Sequence, residues 1–324
     1  MAKYCIGVDL GGTNLKAGLV DQDANVLSKF SVPTGVEKGT EYVVSTIIGA
    51  AKRAVTEAGV KSEDVIGVGI GSPGPMSHRR GLVINPGNLP CMKNVPLRAE
   101  VVKHTGFRAT LENDANAAAW GEYWAGAGKG VRDMVMFTLG TGVGGGVIAE
   151  GNLLRGHFEN GGELGHIIVQ PGGRRCSCNQ LGCVEAYSSA SNLAARLVEE
   201  IKAGKPSSLK AMLDRGEEVR AEHVDRAAQA GDKLAAQIWD DACRYLAIAC
   251  VVMQHTTNPQ RIVFAGGMIN AGQPLLDRIR KHFHELTWIL LDDFPEIMFA
   301  TLGDDAGLIG AAGCALRAQE IDDW

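Results

Sequence analysis

The hydrophobic pattern at the start of the chain predicts three short strands joined by tight turns. Apolar runs in "KYCIGVDLGGTNLKAGLVDQDANVLSKFSV" are separated by glycine, asparagine and aspartate, which favour turns. The next segment, "TEYVVSTIIGAAKRAVTEA" at residues 40–58, has apolar positions at helical spacing, and Gly59 follows it as a stop signal. The pattern therefore predicts three strands followed by a helix.

The rest of the chain continues to alternate between strands and helices. "VIGVGIGSPG" and "GLVIN" predict strands, and "NVPLRAEVVKHTG" predicts a short helix with Pro96 in its first turn and Gly106 as its stop. "RATLEN" predicts a strand that leads into a helix near "DANAAAWGEYW". Helices are expected to dominate residues 188–257, and "RIVFAGGMINAG" predicts a strand, a glycine turn and a helix. The last helix is predicted over Asp304–Gln319, where the first residues are acidic.

The strand pattern of the N-terminus returns after Asp133. "DMVMFTLGTGVGGGVIAEGNLL" repeats the order of "KYCIGVDLGGTNLKAGLVDQDANVL": a strand, a Gly/Thr loop, a second strand and an acidic turn. Two such segments predict two α/β domains built on one plan. The chain has no low-complexity linker, which favours domains that share a cleft.

Composition and charge narrow the class of protein. The chain has 324 residues, 45% apolar and 21% charged, which is typical of a globular protein with one large or two medium domains. No run approaches the roughly 20 apolar residues that a membrane helix needs, and "MAKYCIGVDLGGT" has no signal-peptide pattern. A net charge of −5 gives nucleic-acid binding no electrostatic support. We therefore expect a soluble cytoplasmic protein without a membrane or nucleic-acid partner.

Two glycine-rich loops are candidates for phosphate binding. The 42 glycines are about 13% of the chain, near twice the usual ~7%. Seven of them lie in "VDLGGTN" (8–14) and "TLGTGVGGG" (138–146). Successive N–H groups in such loops form an anion-binding nest, to which the hydroxyls of Thr13 and Thr141 add donors. Asp9 is a candidate for organising Mg²⁺ and its waters beside a phosphate. Hairpin turns that need glycine only for positive φ are the alternative, and the repetition of the loop favours phosphate binding.

The second loop also matches a dinucleotide-binding motif. Gly140, Gly142 and Gly145 have the spacing G-x-G-x-x-G, but that motif requires a helix directly after the glycines. "GVIAEGNLL" follows instead and alternates like a strand, and neither loop ends in the G-K-[ST] of a Walker A motif. The sequence therefore predicts phosphate binding by a strand, a loop and a second strand.

The eight cysteines indicate a reducing compartment and one metal site. Four lie in apolar surroundings, where cysteine behaves as a small hydrophobe: Cys5, Cys243, Cys250 and Cys314. Cys176, Cys178 and Cys183 have the spacing C-x-C-x₄-C, and His166 lies ten residues upstream. Three thiolates and an imidazole are typical of structural zinc. An Fe–S cluster, which favours a fourth cysteine, and reduced thiols without a metal are the alternatives.

Several polar residues are candidates for substrate contact. Asp114 lies where a strand ends and a helix begins, so it is either an N-cap or a general base of the kind that accepts a hydroxyl proton in kinases. Glu163 and Glu185 lie beside the predicted zinc ligands, which favours them as acceptors for vicinal hydroxyls over solvated surface charges. Asn88 in "NPGNLP" is a further polar candidate.

Together these motifs resemble the ROK family of bacterial sugar kinases, within the actin-like ATPase superfamily, over essentially the whole chain. "DLGGTN" and "TLGTGVGGG" resemble its two phosphate motifs, and "ENDANAAAWGE" resembles the segment with the catalytic aspartate. "GGELGH" and "CSCNQLGCVE" resemble the part that binds sugar and zinc, and "FAGGMI" the adenosine-side loop. The resemblance implies two actin-like (ribonuclease H-like) α/β domains, with mixed sheets flanked by helices and a cleft between them for sugar and ATP.

The resemblance also implies domain ranges and residue roles. A small domain is expected over 1–117 with 304–324, and a large domain with the zinc loop and a helical bundle over 118–303. Asp114 is expected to activate the hexose 6-hydroxyl. The residues expected to bind the sugar are Asn88, Asn113, Asp114, Glu163, His166 and Glu185. The residues expected to contact ATP and Mg²⁺ are Asp9, Gly11, Gly12, Thr13, Gly140, Thr141, Gly142, Gly266 and Gly267. His166 is expected to serve twice, with one ring nitrogen on zinc and the other towards the sugar.

The expected activity is ATP-dependent phosphorylation of glucose, in a homo-oligomer such as the dimers and tetramers of relatives. Glucose-specific relatives commonly carry Asn-Leu-x-Gly-Trp after the first sugar loop, whereas this chain has "NLPCM" at 88–92. Fructose, mannose, N-acetylglucosamine and N-acetylmannosamine therefore remain alternative acceptors, and polyphosphate and ADP alternative donors.

Two further alternatives belong to other functional classes. A sugar-sensing transcription regulator of the same family places a helix-turn-helix domain before the first phosphate motif, which here begins at Asp9. Another actin-like phosphotransferase could act on a carboxylate or an amino sugar. The predicted zinc site with its two glutamates favours a polyol-like substrate over a carboxylate or an amino sugar.

Overall fold

The computed structural model describes residues 3–290 and 292–324 of the chain. These residues form two compact units. Unit 1 comprises Met1–Arg132, Gly146–Gly162 and Thr301–Trp324, and unit 2 comprises Asp133–Gly145 and Glu163–Ala300. Among the described residues, no helix has the length and the apolar content that crossing a membrane requires.

Strands and helices alternate along the chain. The strands are β1 (Tyr4–Leu10), β2 (Asn14–Asp21), β3 (Val26–Pro33), β4 (Val65–Ser72), β5 (Met76–Ser77), β6 (Leu82–Val83), β7 (Arg108–Asn113), β8 (Met134–Leu139), β9 (Val143–Ala149), β10 (Asn152–Leu153), β11 (Arg261–Ala265) and β12 (Glu296–Phe299). The helices are α1 (Thr40–Ala58), α2 (Leu97–Thr105), α3 (Asp114–Ala125), α4 (Glu185–Ser188), α5 (Ala190–Lys202), α6 (Lys210–Asp214), α7 (Ala221–Gln229), α8 (Lys233–Thr257), α9 (Gln273–Leu286) and α10 (Ala306–Ile321).

Unit 1 is built on a mixed sheet with the strand order β3-β2-β1-β4-β7. β1, β2 and β3 are antiparallel neighbours, and β4 and β7 run parallel to β1. Alternate residues of β1 face opposite sides: Ile6 lies in the core shared with α1, and Cys5 in the core shared with α10. Glycines in two strands let α10 lie close to the sheet, since a Cβ at Gly7 would be 2.1 Å from the carbonyl oxygen of Leu308.

Unit 2 is organised around three parallel strands. β11 pairs in parallel with β8 on one side and with β12 on the other, within the order β10-β9-β8-β11-β12. Phe264 of β11 is in register with Phe137 of β8, and the two buried rings stack with their centroids 5.5 Å apart. α8 and α9 pack against each other, and Phe283 of α9 is fully buried. The parallel strands end together at the edge that carries Leu139 and Ala265.

The predicted organisation of strands and loops is confirmed. α1 has the predicted bounds, and Gly59 ends it in the left-handed conformation at φ 66°. The two Gly/Thr loops join β1 to β2 and β8 to β9, so each predicted unit of strand, loop and strand is present. β9 begins at Val143, within the G-x-G-x-x-G spacing, so these glycines lead into a strand and not a helix, as predicted. The α/β class with sheets flanked by helices is confirmed as well.

Of two predicted helix starts, one is confirmed and one differs. α3 begins at Asp114, the first residue of "DANAAAWGEYW", with Asn113 as its N-cap. The last helix was predicted from Asp304, but the acidic residues lie in a 3₁₀ turn, Gly303–Asp305, and α10 begins at Ala306. Such turns are common at helix ends, where backbone groups have no partner in the α-helix.

The compact units differ from the predicted domain ranges, 1–117 with 304–324 and 118–303. α3 continues past residue 117 and packs against α10, which keeps the whole helix in unit 1. Gly146–Gly162, with β10 and most of β9, also belongs to unit 1. As a division into functional domains, the predicted ranges stay a prediction.

Candidate active site

The first glycine loop is a tight turn held by hydrogen bonds. The N–H of Gly11 donates to the carbonyl oxygen of Asn14 at 3.1 Å, which closes the turn between β1 and β2. Thr34 holds it from the end of β3: its hydroxyl donates to the Gly11 carbonyl at 2.7 Å, and its N–H to the Thr13 carbonyl at 2.9 Å. Thr13 itself is exposed. The loop is therefore rigid in its backbone and open at Thr13, as a phosphate nest requires.

The structure brings the predicted sugar loop against this glycine loop. A Cβ at Gly12 would lie 3.0 Å from the Asn88 carbonyl oxygen, so the position favours glycine. Asn88 is exposed, whereas Leu89 and Met92 are fully buried. The hydroxyl of Thr40 donates to the carbonyl of Cys91 and fixes the loop to the start of α1. The unusual "NLPCM" segment thus has buried apolar anchors and an exposed asparagine.

Asn113 and Asp114 differ in their part at the start of α3, where the sequence left open whether Asp114 is an N-cap or a general base. The side-chain oxygen of Asn113 accepts hydrogen bonds from the N–H groups of Ala115 at 2.9 Å and Asn116 at 3.1 Å. Asn113 is therefore the N-cap, and the N-cap alternative for Asp114 is wrong. Asp114 Oδ1 accepts a hydrogen bond from the Ala115 N–H at 2.9 Å. Its carboxylate keeps further acceptor capacity for a substrate proton.

Burial sets the electrostatics of the two aspartates in unit 1. Burial raises the pKa of Asp114, although hydrogen bonds at the helix start oppose the shift. Burial also raises the pKa of Asp9, the negative charge of Asp114 raises it further, and Lys16 lowers it. The two carboxylates are thus close enough to repel each other, which favours a bound cation or substrate dipole beside them.

Lys16 is a candidate site residue that the motifs did not single out. It is the cross-strand partner of Asp9 in the β1–β2 pair, so both side chains lie on one face of the sheet. Its Nζ donates to the Asp304 carbonyl at 3.0 Å, just before α10. Counting the hairpin register outward from "GGT" would have found this pair, since the turn fixes which residues lie opposite each other.

The second glycine loop is fixed within unit 2. The N–H of Gly140 donates to the Gly142 carbonyl at 3.0 Å, and the Gly140 carbonyl accepts from the Ala190 N–H at 2.9 Å, at the start of α5. Gly266 follows β11 with φ 89°, and a Cβ there would lie 2.5 Å from the Leu139 carbonyl oxygen. The structure therefore brings the predicted adenosine-side loop directly against the second phosphate loop.

A cavity of about 440 Å³ lies at these two loops, within unit 2. Gly140, Thr141 and Gly267 line one part of it. α7 contributes Arg226 among other polar residues, its N-cap contributes Arg220, and α8 contributes the ring of Trp239. A cleft with an aromatic ring, glycine backbone and two guanidinium groups suits a nucleotide. Sequence reasoning missed the α7 residues because that helix has no motif and is distant from both loops in sequence.

The predicted zinc ligands form a compact cluster. The donor atoms of His166, Cys176, Cys178 and Cys183 all lie within 4.8 Å of one another. The sulfurs of Cys178 and Cys183 are 3.7 Å apart, and Cys176 Sγ is 3.6 Å from His166 Nδ1. A tetrahedral zinc with Zn–S bonds of about 2.3 Å places its sulfurs about 3.8 Å apart. The donor set therefore fits zinc in identity, number and spacing.

The cysteine loop is shaped by two tight turns. The N–H of Cys176 donates to the Gln180 carbonyl at 2.9 Å, and Asn179 between them has φ 71°. Gly182 has φ 91°, and a Cβ there would lie 1.9 Å from the Gln170 carbonyl oxygen, so only glycine fits. These turns bring three cysteines of one short segment to the same point.

Glu185 connects the cysteine loop to the second glycine loop. Its Oε1 accepts from the Ser177 hydroxyl at 2.7 Å, and its Oε2 accepts from the Val143 N–H at 3.0 Å. A Cβ at Gly142 would lie 2.6 Å from Oε2, so glycine allows the carboxylate to approach. Glu185 is thus a rigid carboxylate, as predicted, held in addition by a glycine loop that sequence reasoning had treated separately.

Glu163 and His166 lie at the two ends of one short turn. Glu163 is exposed and precedes the 3₁₀ helix Leu164–His166, and its carbonyl accepts from the His166 N–H at 3.1 Å. His166 Nδ1 faces the cysteine cluster. The turn therefore fixes the glutamate relative to a predicted metal ligand.

Two α/β sheets, each containing a strand, a glycine loop and a second strand in chain order, define the actin-like class of proteins. The chain belongs to the ROK family, whose family model matches residues 5–318. It is similar to a glucokinase of Thermotoga maritima, with 39% identity over 307 residues that cover 95% of each protein. A ROK hexokinase structure from Thermus thermophilus has a TM-score of 0.84 and 35% identity, covering 99% of this chain and 100% of that one. A ROK glucokinase of Streptomyces griseus, solved in complex with glucose and AMPPNP, has a TM-score of 0.78 and 35% identity, with 97% and 99% covered.

Proposed function

We propose that the protein is an ATP-dependent sugar kinase that phosphorylates the 6-hydroxyl of a hexose, with glucose as its acceptor. The observation that carries the proposal is Asp114, a buried carboxylate of raised pKa at the start of α3, close to Asp9. The similarity to glucokinases over nearly the whole chain supports glucose.

Asp114 acts as the general base in this proposal. Its carboxylate accepts the proton of the 6-hydroxyl while the hydroxyl oxygen attacks the γ-phosphorus of ATP in line with the leaving oxygen. A carboxylate is a weak base, which suffices because the transition state of phosphoryl transfer is loose and the proton moves late. The raised pKa makes this carboxylate a stronger base than a solvent-exposed aspartate.

In this proposal, polar side chains from the first and the second half of the sequence hold the sugar. Asn88 and Asn113 offer amide groups, and Glu163 and Glu185 offer carboxylates that accept from vicinal hydroxyls. His166 contributes the ring nitrogen that does not face the cysteines. Since Glu185 is already fixed by Ser177 and Val143, it needs little ordering when a sugar binds.

The glycine loops bind the nucleotide in this proposal. The residues that contact the phosphates and Mg²⁺ are Asp9, Gly11, Gly12, Thr13, Gly140, Thr141 and Gly142. Gly266 and Gly267 lie against the nucleoside, for which the 440 Å³ cavity in unit 2 is the candidate site. Mg²⁺, when bound, neutralises charge on the β- and γ-phosphates. Asp9 would hold the ion through its waters.

Zinc has a structural role in this proposal. His166, Cys176, Cys178 and Cys183 would hold it, and a closed set of four protein ligands supports folding without taking part in catalysis. The ion would fix the turn before His166 and the loop before Glu185.

The proposed setting is a homo-oligomer, dimer or tetramer, in the cytoplasm, with the hexose and Mg-ATP as its ligands. The net charge of −5 gives no electrostatic support for binding to nucleic acid, so we do not include nucleic acid among the proposed partners.

A kinase for another hexose is the second candidate, favoured by the departure at 88–92. Leu89 and Met92 are buried, so Asn88 and Pro90 are the exposed positions that can meet a sugar, and Cys91-Met92 stands where those relatives carry Gly-Trp. Discrimination among hexoses depends on hydrogen bonds to individual hydroxyls.

A substrate panel tests the proposal. We expect ADP release from Mg-ATP to be fastest with glucose, in a comparison with mannose, fructose, allose, N-acetylglucosamine and N-acetylmannosamine. ATP without sugar measures the background. A clear preference for another hexose would move the assignment to the second candidate, and zinc-replete protein that acts on none would contradict both.

The pH dependence tests the proposed base separately. We expect kcat/KM for the hexose, at saturating Mg-ATP, to fall on acidification with a midpoint above about 3.9, the ordinary pKa of aspartate. Burial raises the pKa of Asp114, and only the deprotonated carboxylate accepts a proton, so activity is lost as pH falls through the raised pKa. Circular dichroism at each pH separates this loss from unfolding. A midpoint at or below the ordinary value would contradict a buried base.

A further inference from the structure

A buried carboxylate lies directly before the proposed base. Glu112 is the penultimate residue of β7 and is only 3% exposed. Its Oε1 accepts from the Asn113 N–H at 3.0 Å and from the side-chain amide of Asn116 at 3.1 Å. Asn113 is also the N-cap of α3. One carboxylate oxygen thus holds both ends of the short turn that carries Asp114.

The other oxygen of Glu112 is paired with Arg155. The Arg155 Nε lies 2.6 Å from Oε2, and its guanidinium also reaches Asp323 Oδ2 at 3.4 Å. His78 lies 3.8 Å from the same oxygen, and its Nδ1 is hydrogen-bonded to a backbone carbonyl, which leaves Arg155 as the direct cation partner. A buried carboxylate stays charged and fixed only when a partner compensates for its lost hydration.

We propose that Glu112 is a positioning residue for Asp114 and that Arg155 acts through it, by keeping it charged and in place. Neither residue is among the predicted site residues, and neither belongs to the glycine loops or the cysteine cluster. The inference rests on the proposed function, because it assumes that Asp114 is the base. All of its contacts lie within unit 1.

Loss of Arg155 has a defined physical consequence. Glu112 would be left as a buried charge without its cation, which favours a turn of its carboxylate towards solvent. That movement weakens the acceptor for the Asn113 N–H, and the turn that carries Asp114 gains freedom. A base displaced by a fraction of an ångström lowers the rate of the chemical step much more than it lowers sugar binding.

Three variants test the proposal. Arg155→Met removes the cation at similar length. Glu112→Gln keeps one oxygen for Asn113 but turns an amide N–H₂ towards Arg155. The double variant Glu112→Gln/Arg155→Met removes both charges and keeps that oxygen. We expect each single variant to lower kcat roughly 10- to 100-fold, with the sugar KM within about threefold, and the double variant to regain at least about fivefold of the loss in kcat.

Arg317→Met is the matched control. Arg317 lines the same small cavity as Arg155, but it pairs with Glu320 and Asn152 and does not contact Glu112. We expect this variant to keep the wild-type kcat. Should Arg155→Met not yield folded protein, Arg155→Lys carries the same comparison, with a smaller loss in the same direction, because lysine keeps the charge without the guanidinium geometry.

Amide hydrogen exchange over residues 112–117 supplies a readout that needs no activity. We expect faster exchange in Arg155→Met than in Arg317→Met, and slower exchange again in the double variant. Unchanged exchange and kcat in Arg155→Met would overturn the proposal. A loss of kcat that the double variant does not recover, with unchanged exchange, would also overturn it, because Arg155 would then act in the reaction itself. If the wild type phosphorylates no sugar, the proposed function fails, and the exchange data alone decide whether Arg155 and Glu112 hold the turn.

Discussion

Asp114→Asn is expected to lower kcat by roughly 10³-fold while sugar affinity changes little. The substitution keeps the size of the side chain and the acceptor for the Ala115 N–H, but it removes the group that takes the hydroxyl proton. Kinetics with glucose and Mg-ATP, and calorimetric titration of glucose, measure the two quantities. Turnover within about tenfold of the wild type would sink the assignment of the base.

The same variant is expected to raise the thermal midpoint at neutral pH. Burial raises the pKa of Asp114 above its unfolded value, so the stability that protonation contributes is present below about pH 3.9 and is lost as pH rises through the folded pKa. Asparagine stays neutral and keeps that stability at pH 7. The gain should therefore vanish in acid, which calorimetry at several pH values can follow.

Asp232→Asn is the matched control at another helix start. Burial alone would raise the pKa of Asp232 as well, but hydrogen bonds from Ser207, Ala235 and Ser208 lower it to about 2. This carboxylate stabilises the folded state above its unfolded pKa, so its replacement is expected to lower the thermal midpoint at pH 7 and to leave turnover unchanged. A thermal midpoint that rises in Asp114→Asn and falls in Asp232→Asn would distinguish a buried base from a helix cap.

Cys178→Ser is expected to remove zinc and to lower both thermal stability and sugar affinity. Loss of one thiolate leaves the zinc site with three protein ligands. The loop that fixes Glu185 and the turn that fixes His166 then lose the support of the metal. We expect a thermal midpoint lower by at least about 5 °C and a sugar Kd raised at least about tenfold. Metal analysis, calorimetry and glucose titration measure the three effects.

Cys91→Ser is the control for the metal and for stability, because that thiol lies outside the cluster. It is expected to keep the zinc and the thermal midpoint. A Cys178→Ser protein that loses the metal and keeps both stability and glucose affinity would refute the structural role. So would removal of zinc by a chelator without any change in either property.

Short-range features of this protein follow directly from its sequence. The bounds of α1 were predicted to the residue because its apolar spacing is helical and Gly59 supplies the left-handed stop. The cysteine cluster was predictable for a similar reason. Its four donors come from residues 166–183, and the two turns that gather them carry residues, Asn179 and Gly182, that tolerate positive φ.

Features that depend on distant packing were not predictable. Asn113 and Asp114 are both good N-cap residues, and only the path from β7 into α3 decides between them. The contact of Glu112 with Arg155 joins residues 43 apart, on elements whose proximity no local pattern encodes. Arg226 of α7 and Arg220 just before it reach the proposed nucleotide cavity through helix packing, without any motif around them.

The loop at 88–92 has a consequence for how the protein can change over evolution. Leu89 and Met92 fix the loop in the core, whereas Asn88 and Pro90 are exposed. Mutations at the exposed positions leave the buried anchors intact and have small effects on folding, since surface substitutions usually change stability by less than about 0.5 kcal/mol. Under the proposed function, in which this loop contacts the sugar, the preferred sugar can therefore change through single mutations at its exposed positions, while selection for a folded protein acts on its buried ones.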